Sequence, residues 1–291
     1  MSLKKSNFKV IGIVGRVGRP TVADTLNSLS QFLTQFECEV RFETQTASLL
    51  DSKPNIAVKM AELEQCDLVI VVGGDGSILH VARVLADSDV PVIGINRGGL
   101  GFLAGVSPDE VESKLHEVLK GKHQTEIHFL IDLKVVRDER TVHRSLALND
   151  IVVNSGSITR MMDFKLFVDE EFVYSQRSDG LIIATPTGST AYALSAGGPI
   201  MHPSLDALVV VPMFPHTLSS RPLVVRGQSQ ITVIVESEED YPITTADSQV
   251  TFILHPHDKV QISKHKNGLN IVYPAGHDFY QSCRSKLDWG T

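Results

Sequence analysis

Asp67-Leu68-Val69-Ile70-Val71-Val72-Gly73-Gly74-Asp75-Gly76-Ser77, continuing into Ile78–Ala86, is the stretch whose reading sets the architecture. Five consecutive aliphatic residues without polar alternation read as a strand buried on both faces, which belongs to a parallel sheet covered by helices. Ile78–Ala86 then reads as a helix. A turn between such a strand and helix lies at the carboxyl end of the strand, where open α/β sheets bind ligands. Glycines let the backbone turn tightly and approach a ligand, and the N–H groups at the helix start favour phosphate oxygens. A carboxylate at Asp75 repels phosphate, so it fits a loop that also holds a cation or takes a proton from a hydroxyl. The plainer reading is a tight turn with Asp75 as a helix cap.

Outward from this element the same alternation continues. Phe8–Val14, Cys38–Phe42 and Pro91–Ile95 read as strands. Val22, Leu26, Leu29, Leu33 and Phe36 after Pro20 have helical spacing. Ser107-Pro108-Asp109-Glu110 predicts a helix start, with Ser107 as N-cap and Glu110 as capping-box partner, and Gly121 predicts its end. Beyond about residue 130 the pattern changes. Leu130–Val136, Ala147–Val153, Phe164–Val168, Leu181–Ala184, Leu208–Pro212, Pro222–Val225, Gln230–Val235, Val250–Leu254 and Lys259–Ser263 read as short strands, with turns at Ser155-Gly156, Asp169-Glu170 and Asn267-Gly268. That predicts an antiparallel sandwich or barrel-like domain. The expected fold is therefore an α/β N-terminal domain with a parallel sheet, residues 1–130, plus an all-β C-terminal domain, with the join between Lys122 and Leu133.

The chain has 291 residues, 42% of them apolar and 21% charged, with a net charge of −7. This is a globular composition that needs no disulfide or metal staple. The longest apolar runs, Leu68–Val72 and Leu208–Val211, are far below the roughly 18 residues that span a bilayer. An acidic chain without a Lys/Arg cluster is a poor binder of nucleic-acid backbones. Cys38, Cys66 and Cys283 are odd in number and in no CxxC spacing, so reduced thiols in a cytoplasm are the expectation. The apolar stretch from Phe8 lacks a small-residue cleavage site and reads as a strand, not a signal peptide.

Two further segments carry chemistry. Ser178-Asp179-Gly180 leads through Leu181–Ala184 into Thr185-Pro186-Thr187-Gly188-Ser189-Thr190-Ala191-Tyr192, and Ser195-Ala196-Gly197-Gly198-Pro199 follows. Hydroxyls at this density predict a loop rich in donors for a ribose, amide or phosphate. Asn149-Asp150 suits a ribose diol or adenine edge, or forms an Asx turn. Other signals are weaker. Gly12, Gly15 and Gly18 have GxxGxxG spacing, not the dinucleotide-binding GxGxxG, although Arg16–Arg19 is a candidate anion contact. His255 and His257 lack a third metal ligand, and His202 and His216 read as structural. Neither a P-loop lysine nor a G-x-S-x-G elbow is present.

Taken together, Gly73-Gly74-Asp75-Gly76, Gly94-Ile95-Asn96 through Gly101-Phe102-Leu103, Asn149-Asp150, Ser178-Asp179-Gly180 and Thr185–Tyr192 resemble the bacterial NAD kinase family of Gram-negative type. The resemblance covers nearly the whole chain. It implies two domains with the nucleotide site between them, residues 131–275 forming the all-β NAD-binding domain and residues 276–291 returning to the first. It implies a phosphotransferase that moves the γ-phosphoryl group of ATP to the 2′-hydroxyl of the adenosine ribose of NAD, with Mg²⁺ or Mn²⁺. Asp75 would be the proton acceptor and Gly73, Gly74 and Ser77 the phosphate loop. Asp75, Gly76, Asn149, Asp150, Arg160, Arg177, Asp179, Thr190, Ala191, Tyr192, Ala193, Leu194, Ser195 and Gln249 would contact NAD, and no residue would be a dedicated metal ligand. The resemblance also implies a homo-oligomer, a dimer or tetramer, and the composition adds the expectation of a cytoplasmic protein with no nucleic-acid or membrane partner. The alternatives are a lipid or sugar kinase sharing the GGDG loop, and a non-catalytic NAD(H)-binding sensor.

Overall fold

A computed structural model describes residues 3–97, 101–156, 160–237 and 241–289. The chain divides into two compact units, 1–127 with 269–291, and 128–268.

The first unit is a parallel sheet with helices. Its elements are β1 Val10–Gly15, α1 Pro20–Leu33, β2 Glu39–Glu43, the short α2 Thr44–Ala47, β3 Ala57–Val58, β4 Leu68–Gly73, α3 Asp75–Leu85, β5 Val92–Asn96 and α4 Val111–Leu119. The strands lie in the order β5-β4-β1-β2-β3, every neighbouring pair parallel. β4 is buried along its whole length, as its unbroken aliphatic run requires. Val22, Leu26, Leu29 and Leu33 of α1 pack on one side of this sheet with Ile11, Ile13, Ile70 and Val72. Two expectations are corrected. α3 begins at Asp75, so Asp75, Gly76 and Ser77 form its first turn and not a loop before it. Ser107 makes no side-chain cap: Pro108–Glu110 is a 3₁₀ turn, and α4 starts only at Val111.

β6 His123–Arg137 carries the chain into the second unit. There follow β7 Arg140–Ala147, β8 Asp150–Asn154, β9 Met162–Val168, β10 Glu171–Ser178, β11 Gly180–Ala184, the short α5 Tyr192–Ser195, β12 Ala207–Met213, β13 Leu223–Arg226, β14 Ile231–Val235, β15 Ile243–Ala246, β16 Val250–Ile253 and β17 Lys259–Pro274. One sheet runs β13-β12-β11-β8-β15-β16, entirely antiparallel. Against it, Leu133, Phe164, Leu166, Val233, Val260 and Ile262 meet Ile151, Val153, Leu181, Ile183, Leu208 and Val210 in one core. The opposite faces of β8, β11 and β12 are also covered, since Val152, Ile182, Val209 and Val211 pack with Ala193 and Met201. Burial on both faces explains why β11 and β12 lack polar alternation.

Ala147–Val153 is not one strand: Leu148 and Asn149 break it between β7 and β8. Asp169-Glu170 forms the β9–β10 turn with both residues at positive φ, 51° and 67°. Asn267-Gly268, by contrast, lies inside the 16-residue β17 and is no turn. The end of β17 pairs in parallel with β5 through Ile271 and Val92, and α6 Phe279–Leu287 closes the described chain within the first unit. No described helix is long and apolar enough to cross a membrane.

Candidate active site

The glycine turn is built by what surrounds it. A Cβ at Gly73 would stand 2.4 Å from Ser77 Oγ, so the end of β4 tolerates no side chain without rearrangement. Gly74, extended, is the N-cap of α3 and supplies no side-chain acceptor. The first N–H groups of a helix have no partner within it and suit an anion. Asp75 is half-buried at the first helical position. Its carboxylate accepts from the backbone N–H groups of Phe102 at 2.7 Å, Leu103 at 3.2 Å and Ala104 at 3.3 Å. Burial pushes its pKa up, while these three N–H groups and the Lys286 charge pull it back. A Cβ at Gly101 would come within 2.6 Å of Asp75 Oδ1, so the 101–104 segment fits the carboxylate only with glycine at its start. Residues 98–100 of the family-like 94–103 segment lie outside the described residues.

In the second unit a different carboxylate organises the neighbourhood of Asn149. Asp247, buried at the β15–β16 turn with φ 51°, accepts from the N–H groups of Leu148 at 3.1 Å, Asn149 at 2.8 Å and Asp150 at 3.3 Å. The link is returned by the Asp247 N–H to the Asp150 carbonyl at 2.9 Å. This explains why the chain leaves strand geometry at 148–149. The side-chain oxygen of Asn149 is buried with no hydrogen-bond partner in the protein. A buried acceptor left open is costly, and at a binding site a ligand donor satisfies it. Asp150 is 3% exposed. Burial first, and the nearby Asp247 second, push its pKa up to about 7.

The 185–195 segment folds onto the same place. The Thr185 N–H donates to Asn149 O at 2.9 Å, and a Cβ at Gly188 would lie 2.0 Å from that oxygen. The expectation of a donor-rich loop is corrected here. Thr185 Oγ1 donates to Leu148 O at 2.6 Å, Ser189 Oγ to Pro186 O at 2.6 Å, and Thr190 Oγ1 to Thr187 O at 3.1 Å. Thr187 Oγ1 bonds His128 Nδ1 at 2.8 Å. These hydroxyls hold the turn, because a tight buried turn leaves carbonyls that strand pairing cannot reach. Tyr192 and Ser195 are exposed on α5, Thr190, Ala191 and Leu194 half-buried, and Ala193 buried.

Arg177 and Asp179 stand just before β11, Gln249 two residues after Asp247, and Arg160 just before β9. Asp179 sits half-buried between β10 and β11, its carbonyl accepting from Ser155 N–H at 3.1 Å. Arg177 is exposed, 4.0 Å from Asp163. Arg160 and Gln249 are exposed. Asp247 is the residue that sequence reasoning passed over; a lone Asp in a turn carries no signal of the three N–H groups it will bind. Among the described residues no group of three or more His, Cys, Asp and Glu could hold a metal ion.

A parallel α/β unit whose glycine turn presents a carboxylate, with an antiparallel unit carrying an open buried amide, describes a two-domain nucleotide kinase. The chain matches the ATP-NAD kinase N-terminal domain over residues 11–123 and the ATP-NAD kinase C-terminal domain over residues 148–273. It is 48% identical over 287 residues to the NAD kinase of Teredinibacter turnerae, covering 98% of each chain. Its fold matches an NAD kinase from Archaeoglobus fulgidus, solved in complex with ATP, at a TM-score of 0.75 and 28% identity, over 96% of this chain and 98% of that one. Yeast NADH kinase, solved with NADH, shares the fold at a TM-score of 0.86 and 24% identity, over 100% of this chain and 96% of that one. The chain belongs to the NAD kinase family. It is an ATP-dependent enzyme that phosphorylates the 2′-hydroxyl of the adenosine ribose of NAD, giving NADP.

Proposed function

We propose that Asp75 is the proton acceptor of this reaction. The observation that carries it is the carboxylate anchored by three backbone N–H groups at the glycine turn. Anchoring fixes the oxygens without neutralising them, and burial raises their basicity. As the ribose 2′-oxygen attacks the γ-phosphorus, its proton passes to Asp75 and ADP leaves. Gly73, Gly74 and Ser77 line the phosphates. Phosphoryl transfer asks for positioning and charge stabilisation, with no covalent protein intermediate. Mg²⁺ or Mn²⁺ enters as the ATP complex, as part of the substrate, and neutralises phosphate charge.

NAD contacts are assigned to Gly76, Asn149, Asp150, Arg160, Arg177, Asp179, Thr190–Ser195 and Gln249 alongside Asp75. The unpaired Asn149 oxygen is the strongest support among them. The enzyme is assigned to the cytoplasm as a homo-oligomer.

Asp75→Asn keeps the side chain's shape and removes the base. General-base contributions are roughly 10²–10⁴-fold, so kcat falls by about that factor, with NAD affinity by calorimetry changed much less. Near-normal kcat in a folded variant, or rescue by excess Mg²⁺, removes the assignment.

A further inference from the structure

Three arginines crowd the glycine turn without a role so far. Arg16 follows β1, Arg19 precedes α1 and Arg97 follows β5. The Arg16 N–H donates to Val72 O at 2.9 Å and the Arg97 N–H to Gly73 O at 2.7 Å, so both backbones are tied to the end of β4. Arg19 Nη1 donates to Arg97 O at 3.4 Å. Arg97 Nε donates to Thr25 Oγ1 of α1, a buried hydroxyl that itself donates to Thr21 O at 2.9 Å. Arg97 is half-buried, while Arg16 and Arg19 are exposed.

Among the described residues no carboxylate pairs with any of the three guanidiniums. Like charges gathered without a counter-charge repel, and an anionic ligand relieves them. Guanidinium forks match phosphate oxygens in geometry as well as charge. The cluster also stands where β1, β4 and β5 end, the side of a parallel sheet that binds ligands.

We propose that Arg16, Arg19 and Arg97 seat the triphosphate of the phosphoryl donor. Arg97 is held in place by Thr25, and the two exposed arginines close over the outer phosphates. A triphosphate carries roughly twice the charge of the acceptor's pyrophosphate, which suits three cations better than the acceptor does. The inference rests on the Asp75 reading only in placing the reacting phosphate beside the glycine turn.

The test uses Arg16→Gln, Arg19→Gln, Arg97→Gln and the Arg16→Gln/Arg19→Gln double variant in the full chain. Steady-state kinetics, with each substrate varied in turn, are measured beside thermal unfolding. The ATP KM should rise about tenfold or more for each variant, as for a lost charge-assisted hydrogen bond. The NAD KM should stay within about twofold and the melting temperature should not move. Inorganic tripolyphosphate should compete with ATP in the wild type and lose potency in the variants. An NAD KM that rises as much as the ATP KM overturns the proposal. So does an unmoved ATP KM in the arginine variants. Lys286→Gln, measured beside them, then reports whether the donor sits instead in the cavity of about 480 Å³ lined by Phe102, Lys114, His277 and Lys286. Should Arg97→Gln fail to fold, the double variant of exposed residues decides alone. Absence of NADP formation by the wild type contradicts the activity itself, and is thereby separate from a failure of the arginine assignment.

Discussion

Asp75 and Asp150 are carboxyls displaced in the same direction for different ends. At Asp75 three N–H groups oppose the burial, so the group stays ionisable and fixed. The fit depends on Gly101, and Gly101→Ala drives a methyl group to 2.6 Å from Asp75 Oδ1 unless the carboxylate moves. Misplacement of a reacting group by about 1 Å costs about 10²-fold. We expect kcat to fall by that order with a smaller change in NAD KM; an unchanged kcat shows the segment does not position the base. Asp150 has few compensating partners, and its pKa is pushed up to about 7. The folded protein therefore holds a proton on Asp150 that the unfolded chain releases near pH 4. Stability from this group is full below about pH 4 and is lost as pH rises through about 7, at up to about 1.4 kcal/mol per pH unit. Denaturant titrations should show that slope from pH 5 to about 7 and level off by pH 8, and Asp150→Asn should flatten it. Asn149→Ala and Asp179→Ala should raise the NAD KM more than the ATP KM, by about tenfold for a hydrogen bond of 1–2 kcal/mol. Equal effects on both substrates would assign them to folding instead.

The β8–turn–β11 assembly shows how elements share one constraint. Thr185 Oγ1 closes on Leu148, Thr185 N–H on Asn149, and Asp247 on all three of 148–150. Gly188 is the contact point, since its missing Cβ would sit 2.0 Å from Asn149 O. Gly188→Ala should lower stability by more than about 3 kcal/mol or abolish soluble expression, because backbone cannot yield as a side chain can. A variant with wild-type melting temperature contradicts this packing. Legibility in the sequence followed the same physics. β4, β11 and β12 were readable because burial on both faces writes an unbroken aliphatic run. β10 was not, because Glu171–Ser178 is an edge strand with mostly exposed residues. β15 was missed because Ile243-Thr244-Thr245-Ala246 is short and half polar although it lies inside its sheet. The Gly73–Ser77 and Asn149-Asp150 elements were readable as local residue types. Asp247 and Arg97 were not, since their importance comes from contacts about 100 and 70 positions away in the chain.

At the scale of the whole molecule, the six-stranded sheet ends, among the described residues, in two edge strands, β13 and β16. β13 carries exposed Leu223 and Val224, and Phe214 and Leu218 are exposed nearby in sequence. Exposed apolar strand edges are covered in stable proteins. We expect a dimer or tetramer by light scattering at micromolar concentration; a monomer mass there contradicts it. Through its GGDG turn this chain phosphorylates NAD, in preference to a lipid or a sugar. The direct measurement offers the purified chain ATP with NAD, NADH, diacylglycerol and fructose 6-phosphate as competing acceptors, and follows each phosphorylated product. NADP should be the dominant product and should be lost in Asp75→Asn. Phosphorylation of diacylglycerol or fructose 6-phosphate in preference to NAD would contradict it.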